Sequence, residues 1–162
     1  MTTRREFFTF LGGAGATAAV PAMLSGCLEL PAPQPGGGAN DAWERRAQQL
    51  EDSNGVYTAG NEGMWAGKAG THVPQIEFDT AAGTARIFNT HPMTEGHWIT
   101  TIYVRDQGGA VIHLVEFVVR GASAATEATT TFTVPAGTTQ ITAYAYCNLH
   151  DAWSSAEQSI GP

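Results

Sequence analysis

The stretch Gln140-Ile141-Thr142-Ala143-Tyr144-Ala145-Tyr146 decides the fold. Ile141, Ala143 and Ala145 alternate with Thr142, Tyr144 and Tyr146. An alternation of period two belongs to a strand whose two faces meet different surroundings. Outward from this stretch the same signature recurs. Residues 75–78, 85–89, 98–105, 111–120 and 129–134 are rich in β-branched and aromatic types and are separated by Gly, Asp, Asn and Pro. Asp106-Gln107-Gly108-Gly109 has the composition of a hairpin connection. Short strands at close spacing, with no helix between them, predict an all-β sandwich over residues 56–162. No internal repeat is evident.

Composition sets the outer limits. The chain has 162 residues, 43% apolar and 14% charged, which suits one packed domain with a tail and excludes wholesale disorder. Its 2 Cys exclude a disulfide scaffold, a four-cysteine zinc site and an iron–sulfur cluster held by four thiolates. A formal charge of -7, with no Lys/Arg cluster, argues against a nucleic-acid partner.

Residues 1–27 read as an address. Arg4-Arg5 leads into a Gly/Ala-rich apolar run, the layout of an export signal. Thr3-Arg4-Arg5-Glu6-Phe7 resembles a twin-arginine motif, and Leu24-Ser25-Gly26-Cys27 resembles a lipobox whose cysteine receives a lipid. A membrane-spanning anchor is the weaker reading, because Gly, Ala and Thr dilute a run that would need roughly 20 strongly apolar residues. The expectation is a membrane-anchored lipoprotein facing the periplasm or the cell exterior, tethered through Cys27. Its mature chain would keep Cys147 as its single thiol. Loss of residues 1–26 takes Arg4, Arg5 and Glu6 from the 8 basic and 15 acidic residues and leaves a formal -8. Residues 28–55 are expected to be a flexible tether. Its Pro/Gly-rich start favours neither helix nor strand. A short helix over 41–50, which Asn40 could cap, is read as too short and polar to matter much, part of the stalk or a lid against the domain.

The 5 histidines are His72, His91, His97, His113 and His150. Thr71-His72-Val73-Pro74, His91-Pro92-Met93 and Asn148-Leu149-His150-Asp151 are turn-forming contexts, and His97 opens a strand. Cys147 and His150 form a Cys-x-x-His pair at a strand end, where one turn can present a thiolate and an imidazole to one ion. That donor set suits Fe, Cu or Zn rather than Mg or Ca. Singly, each residue has a bland explanation: a surface histidine, or a small buried cysteine. Four histidines and the single mature thiol at element ends form a joint pattern.

Three fragments then carry a resemblance. His72-Val73-Pro74-Gln75-Ile76-Glu77, the run from His91-Pro92-Met93 to His97-Trp98-Ile99, and Cys147-Asn148-Leu149-His150 with Trp153 together resemble the iron-binding domain of superoxide reductases, the neelaredoxin and desulfoferrodoxin family. The likeness spans roughly residues 62 to 155, and Trp65 also fits it. It implies a seven-stranded immunoglobulin-like sandwich. It implies one non-heme iron, cycling between Fe2+ and Fe3+, with equatorial His72, His91, His97 and His150 and axial Cys147. Superoxide would meet the ferrous ion opposite the thiolate and leave as hydrogen peroxide. A separate electron donor, rubredoxin-like or a periplasmic redox protein, would restore the iron. The resemblance leaves room for a homo-oligomer. It also implies that the amides of Leu149 and His150 donate to the Cys147 sulfur.

One departure matters. The family usually has a Glu-Lys pair directly before the first histidine, and the Lys attracts superoxide. Here those positions are Gly70 and Thr71. Lys68 is the candidate replacement, and Glu62 a weaker stand-in for the Glu; the alternative is that Lys68 is a solvated loop residue. His113 has no ligand-type neighbour and reads as a strand surface residue. Met93 reads as core near the metal, and Trp98 and Trp153 as shields of the site. The missing pair motivates a competing reading, a non-catalytic iron-binding or redox-sensing module. A cupredoxin-like copper protein would want a Met after His150, and there is none. Zinc is disfavoured because five ligands exceed its usual four. A purely adhesive sandwich would leave the His/Cys placement unexplained.

Overall fold

The computed structural model describes residues 27–29, 39–121 and 124–161. The described residues form ten strands, a long helix and a short one: β1 (Cys27–Glu29), α1 (Ala39–Asn54), β2 (Val56–Tyr57), a 3-10 turn (Gly63–Trp65), α2 (Ala69–His72), β3 (Gln75–Asp79), β4 (Thr84–Thr90), β5 (Ile99–Asp106), β6 (Val111–Val119), β7 (Glu127–Thr133), β8 (Gln140–Cys147), β9 (Asp151–Ser154) and β10 (Gln158–Ser159). One sheet has the order β1-β6-β5-β8-β9-β2, with β10 also paired to β8, and the other has the order β3-β4-β7. The two sheets make the predicted sandwich, although the described strands divide seven and three rather than totalling seven. Ile87, Met93, Ile102, Val104, Val115, Phe117, Ile141, Ala143 and Ala145 are buried in the core between them. That set contains the alternate residues of 140–146 on which the sandwich was predicted.

The hairpin expected at Asp106-Gln107-Gly108-Gly109 is present. The Gly109 amide donates to the Asp106 carbonyl at 2.9 Å, and Gly109 has φ +82, a conformation in which a side chain is strained. The Asp106 carboxylate accepts the Gly108 and Ala110 amides, each at 2.9 Å. The predicted strands 75–78, 85–89, 98–105, 111–120 and 129–134 all recur within about two residues at their ends.

Of the expected tether, residues 30–38 lie outside the described residues; its two described parts, 27–29 and the helix, differ from the sequence reading. Cys27–Glu29 is a strand paired antiparallel with Phe117–Val119. The helix covers Ala39–Asn54, so Asn40 lies within it rather than ahead of it. It is not idle either. Trp43, Ala47 and Leu50, at i, i+4 and i+7, form one apolar stripe. They pack on Tyr103, Val111 and Leu114 of β5 and β6 and make a second core on the outer face of the large sheet. Polar contacts fix the docking. Glu51 accepts from the Tyr103 hydroxyl at 2.9 Å and from Arg105, and Arg105 also reaches Glu44 at 2.9 Å. Mean polarity was the wrong measure; the arrangement of apolar residues around the helix decides its role.

His113 corrects another expectation. A period of two puts it on the face of β6 that carries Val115 and Phe117, which is the core face. Its Nε2 lies 2.9 Å from Thr130 Oγ1 and its ring stacks on Phe132 at 4.5 Å, so it is a partly buried inter-sheet residue and not a surface one. Burial pushes its pKa down to about 4. Residues 1–26 of the expected signal lie outside the described residues. Among the described residues, no helix is long and apolar enough to cross a membrane.

Candidate metal centre

The site lies at one end of the sandwich and draws on both sheets. His72 ends α2 and His91 follows β4. His97 precedes β5, Cys147 ends β8, and His150 stands in the turn between β8 and β9. Each is held locally. Asn89 donates from Nδ2 to the His72 carbonyl at 2.8 Å. The His91 amide donates to Thr126 at 3.0 Å, which continues the β4–β7 pairing beyond the strand end. Thr94 and His97 exchange both backbone hydrogen bonds at 3.0 Å, closing a tight loop around Glu95 and Gly96. Asn148 ties that loop to the cysteine turn: its Oδ1 accepts the Trp98 amide at 2.9 Å and its Nδ2 donates to the Gly96 carbonyl at 3.1 Å.

Donor atoms converge. One atom from each of His72, His91, His97 and Cys147 lies within 4.8 Å of every other. His150 Nδ1 stands 3.0 Å from His72 Nε2, 3.1 Å from His97 Nε2 and 3.5 Å from Cys147 Sγ. His91 Nε2 stands 3.2 Å from His72 Nε2 and 3.7 Å from Cys147 Sγ. Four nitrogens about 2.1 Å from a central ion, at the corners of a square, stand about 3.0 Å apart along each edge. The His91–His72, His72–His150 and His150–His97 separations match such edges. The ring centroids agree: four neighbouring pairs lie 4.4 to 4.8 Å apart, while His72 and His97 lie 6.0 Å apart as opposite corners would. The sulfur sits close to two of these nitrogens. The donor set therefore fits one soft-to-borderline metal ion.

Second contacts set which nitrogen faces the cluster. His72 Nδ1 lies 3.0 Å from the Lys68 carbonyl and His91 Nδ1 lies 2.6 Å from the Pro92 carbonyl. A proton on each Nδ1 satisfies those carbonyls and leaves Nε2 with a lone pair for a metal. Burial pushes both imidazoles down to about 4, so both are neutral near pH 7. His97 and His150, which are less buried, are also lowered, first by burial. Burial pushes the Cys147 thiol up; hydrogen bonds from the Leu149 and His150 amides oppose that, as expected.

Around this cluster, Trp153 is buried, lies 5.5 Å from His72 ring to ring, and donates from Nε1 to the His150 carbonyl at 2.7 Å. It shields the site as anticipated. Trp98 instead turns into the sandwich core and donates to the Phe117 carbonyl at 3.3 Å. Trp65 covers His150 edge-on at 4.9 Å. Met93 is buried in the core. Lys68 is exposed, and its charge acts on His91, His97, Cys147 and His150. Glu62 accepts the Lys68 amide at 2.9 Å and the Ala69 amide at 3.2 Å, and so holds that loop.

A family model described as Desulfoferrodoxin matches residues 64–156. The chain belongs to the desulfoferrodoxin family. Among solved structures, this desulfoferrodoxin family member is similar to a single-residue variant of the superoxide reductase (neelaredoxin) from Ignicoccus hospitalis, at 27% identity, 65% coverage of this chain, 92% of that chain and a TM-score of 0.50. A putative superoxide reductase from Thermotoga maritima shares 28% identity over 65% of this chain and 92% of that one, with a TM-score of 0.48. The superoxide reductase of Giardia intestinalis shares 24% identity over 56% of this chain and 98% of that one, with a TM-score of 0.43. No curated protein matches the chain. Family and cluster together support an iron site in this desulfoferrodoxin family member.

Asn89, Asn148 and Asp151 work at the site, and sequence reading assigned them no role. Asn148 was legible in principle, since it sits between two candidate ligands.

Proposed function

We propose that this protein is a superoxide reductase with a mononuclear iron centre held by His72, His91, His97, His150 and Cys147. The observation that carries the reading is the near-square of imidazole nitrogens with a thiol sulfur against it. Bound iron would supply one electron to superoxide, which with two protons becomes hydrogen peroxide, and an external donor would return that electron. The chain's own part is positional. Cys147 is fully buried, whereas His97 and His150 keep partial exposure, so solvent and an anion approach on the side away from the sulfur. Trp153 and Trp65 restrict water around His72 and His150. Lys68 supplies a local positive charge on an acidic chain, with Glu62 and Gly67, at φ +84, shaping its loop.

The test is stoichiometric. Iron-loaded protein with an excess of reductant should turn each superoxide into one hydrogen peroxide, with no dioxygen released. Dioxygen evolution would mean dismutation and would end this reading. Complete inertness would favour the non-catalytic module that Gly70 and Thr71 suggest. Metal analysis after expression in medium containing both metals should return iron; copper would point to electron transfer instead. We further propose that residues 1–27 direct export and lipidation at Cys27. Fatty-acid labelling should be lost in Cys27→Ser, and a labelled Cys27→Ser protein would refute it.

A further inference from the structure

Asp151 is the only described residue other than glycine with a positive φ, at 61°. It follows His150 directly and pairs with Cys147 across the β8–β9 hairpin. A residue in the left-handed region after a three-residue loop closes such hairpins, and glycine is the usual choice. Asp tolerates that conformation better than most residues, at some cost. Here the side chain has partners that glycine could not provide. Asp151 is only 7% exposed. Its Oδ1 accepts from Asn54 Nδ2 at 2.8 Å and its Oδ2 accepts from Trp65 Nε1 at 2.9 Å. Asn54 is the last residue of α1, just ahead of Gly55 at φ +81. Trp65 is the residue whose indole meets His150 edge-on. A single carboxylate thus joins the end of the outer helix, the aromatic cover and the turn that presents Cys147 and His150.

We propose that Asp151 is a positioning residue that couples the docking of α1 to the geometry of the Cys147–His150 donor turn. The inference rests on the metal-site reading and adds to it an origin for the turn's rigidity. α1 is anchored on β5 and β6 by its own apolar stripe and ion pairs. Its C-terminal end therefore offers a fixed point against which the turn is held. The N-terminal segment becomes part of the site's support rather than a spacer.

The experiment compares full-length, iron-loaded proteins. Asp151→Gly fits φ +61 and removes both acceptors; iron affinity should fall 10- to 100-fold and the sulfur-to-iron absorption band should move. Asp151→Asn should stay near wild type in both. The Asn54 amide can turn over to accept from the new amide, whose oxygen still accepts from Trp65, so both bonds survive. Asn54→Ala should lose affinity several-fold, and combining it with Asp151→Gly should add little, because the two share one bond. Wild-type affinity and spectrum in Asp151→Gly would overturn the proposal. So would an Asp151→Asn protein as weak as Asp151→Gly, since the charge and not the bonds would then matter. A second readout needs no metal: hydrogen exchange at Leu149 and His150 should quicken in metal-free Asp151→Gly and Asn54→Ala while β5 and β6 stay protected. Unchanged exchange there would overturn the coupling even if wild-type protein took up no iron, an outcome that would sink the metal reading by itself.

Discussion

His113 shows what a single imidazole between the sheets does to stability. Its folded-state pKa is depressed to about 4 from 6.5, and burial is the cause. Above pH 6.5 the imidazole is neutral in both states and costs nothing. As pH falls from 6.5 towards 4 the unfolded chain takes a proton that the folded one refuses, so stability is lost across that window. The loss attributable to His113 by about pH 4.5 is about 2–3 kcal/mol. Iron-loaded His113→Asn should therefore lose less stability than wild type between about pH 7.5 and about pH 4.5, read by urea unfolding. Parallel losses in the two proteins would show that the imidazole is not what the acid acts on. The same residue marks a limit of sequence reading. With no ligand-type neighbours it looked like a surface histidine, yet the strand's own alternation already placed it beside Val115 and Phe117. The candidate ligand residues were more legible, because His and Cys at turns carry chemistry in their type. Asn89, Asn148 and Asp151 were not, because a polar residue in a strand or a turn looks the same whether it meets water or a partner far along the chain.

At the scale of elements, the strands were readable because alternation is a local property. The short strands β2, β9 and β10 were not, since two to four residues leave no period to detect. α1 was misjudged for a different reason. Its charged residues, which lower its mean hydropathy, are the ones that bind it to the sheet through Arg105 and Glu116. Its stripe is narrow, and only the sheet beneath it reveals the use. Removing the largest member of that stripe should be costly. Trp43→Ala is expected to destabilise the protein by about 3–5 kcal/mol, as truncation of a buried aromatic does. An unchanged urea midpoint would return α1 to the status of a detached tether. Because Asn54 closes this helix, the same substitution should also quicken hydrogen exchange at the Cys147–His150 turn.

At the scale of the molecule, charge poses the remaining problem. The full chain carries a formal -7 and the substrate proposed for it is an anion. Long-range repulsion and local attraction then act together, and salt separates them. Raising ionic strength from about 0.1 M to about 1 M shortens the screening length from about 10 Å to about 3 Å. If Lys68 beside the site governs the encounter, salt weakens an attraction, and the wild-type rate constant with superoxide should fall. In Lys68→Ala the net negative charge is left to act alone, and salt should then raise the rate. At low salt the variant should react about 10-fold more slowly, within the range that steering by local charge supplies. Pulse radiolysis across a salt series on both proteins reads the sign of each slope. Equal slopes would leave Lys68 as a solvated loop residue, and the attraction would have to come from the metal ion itself.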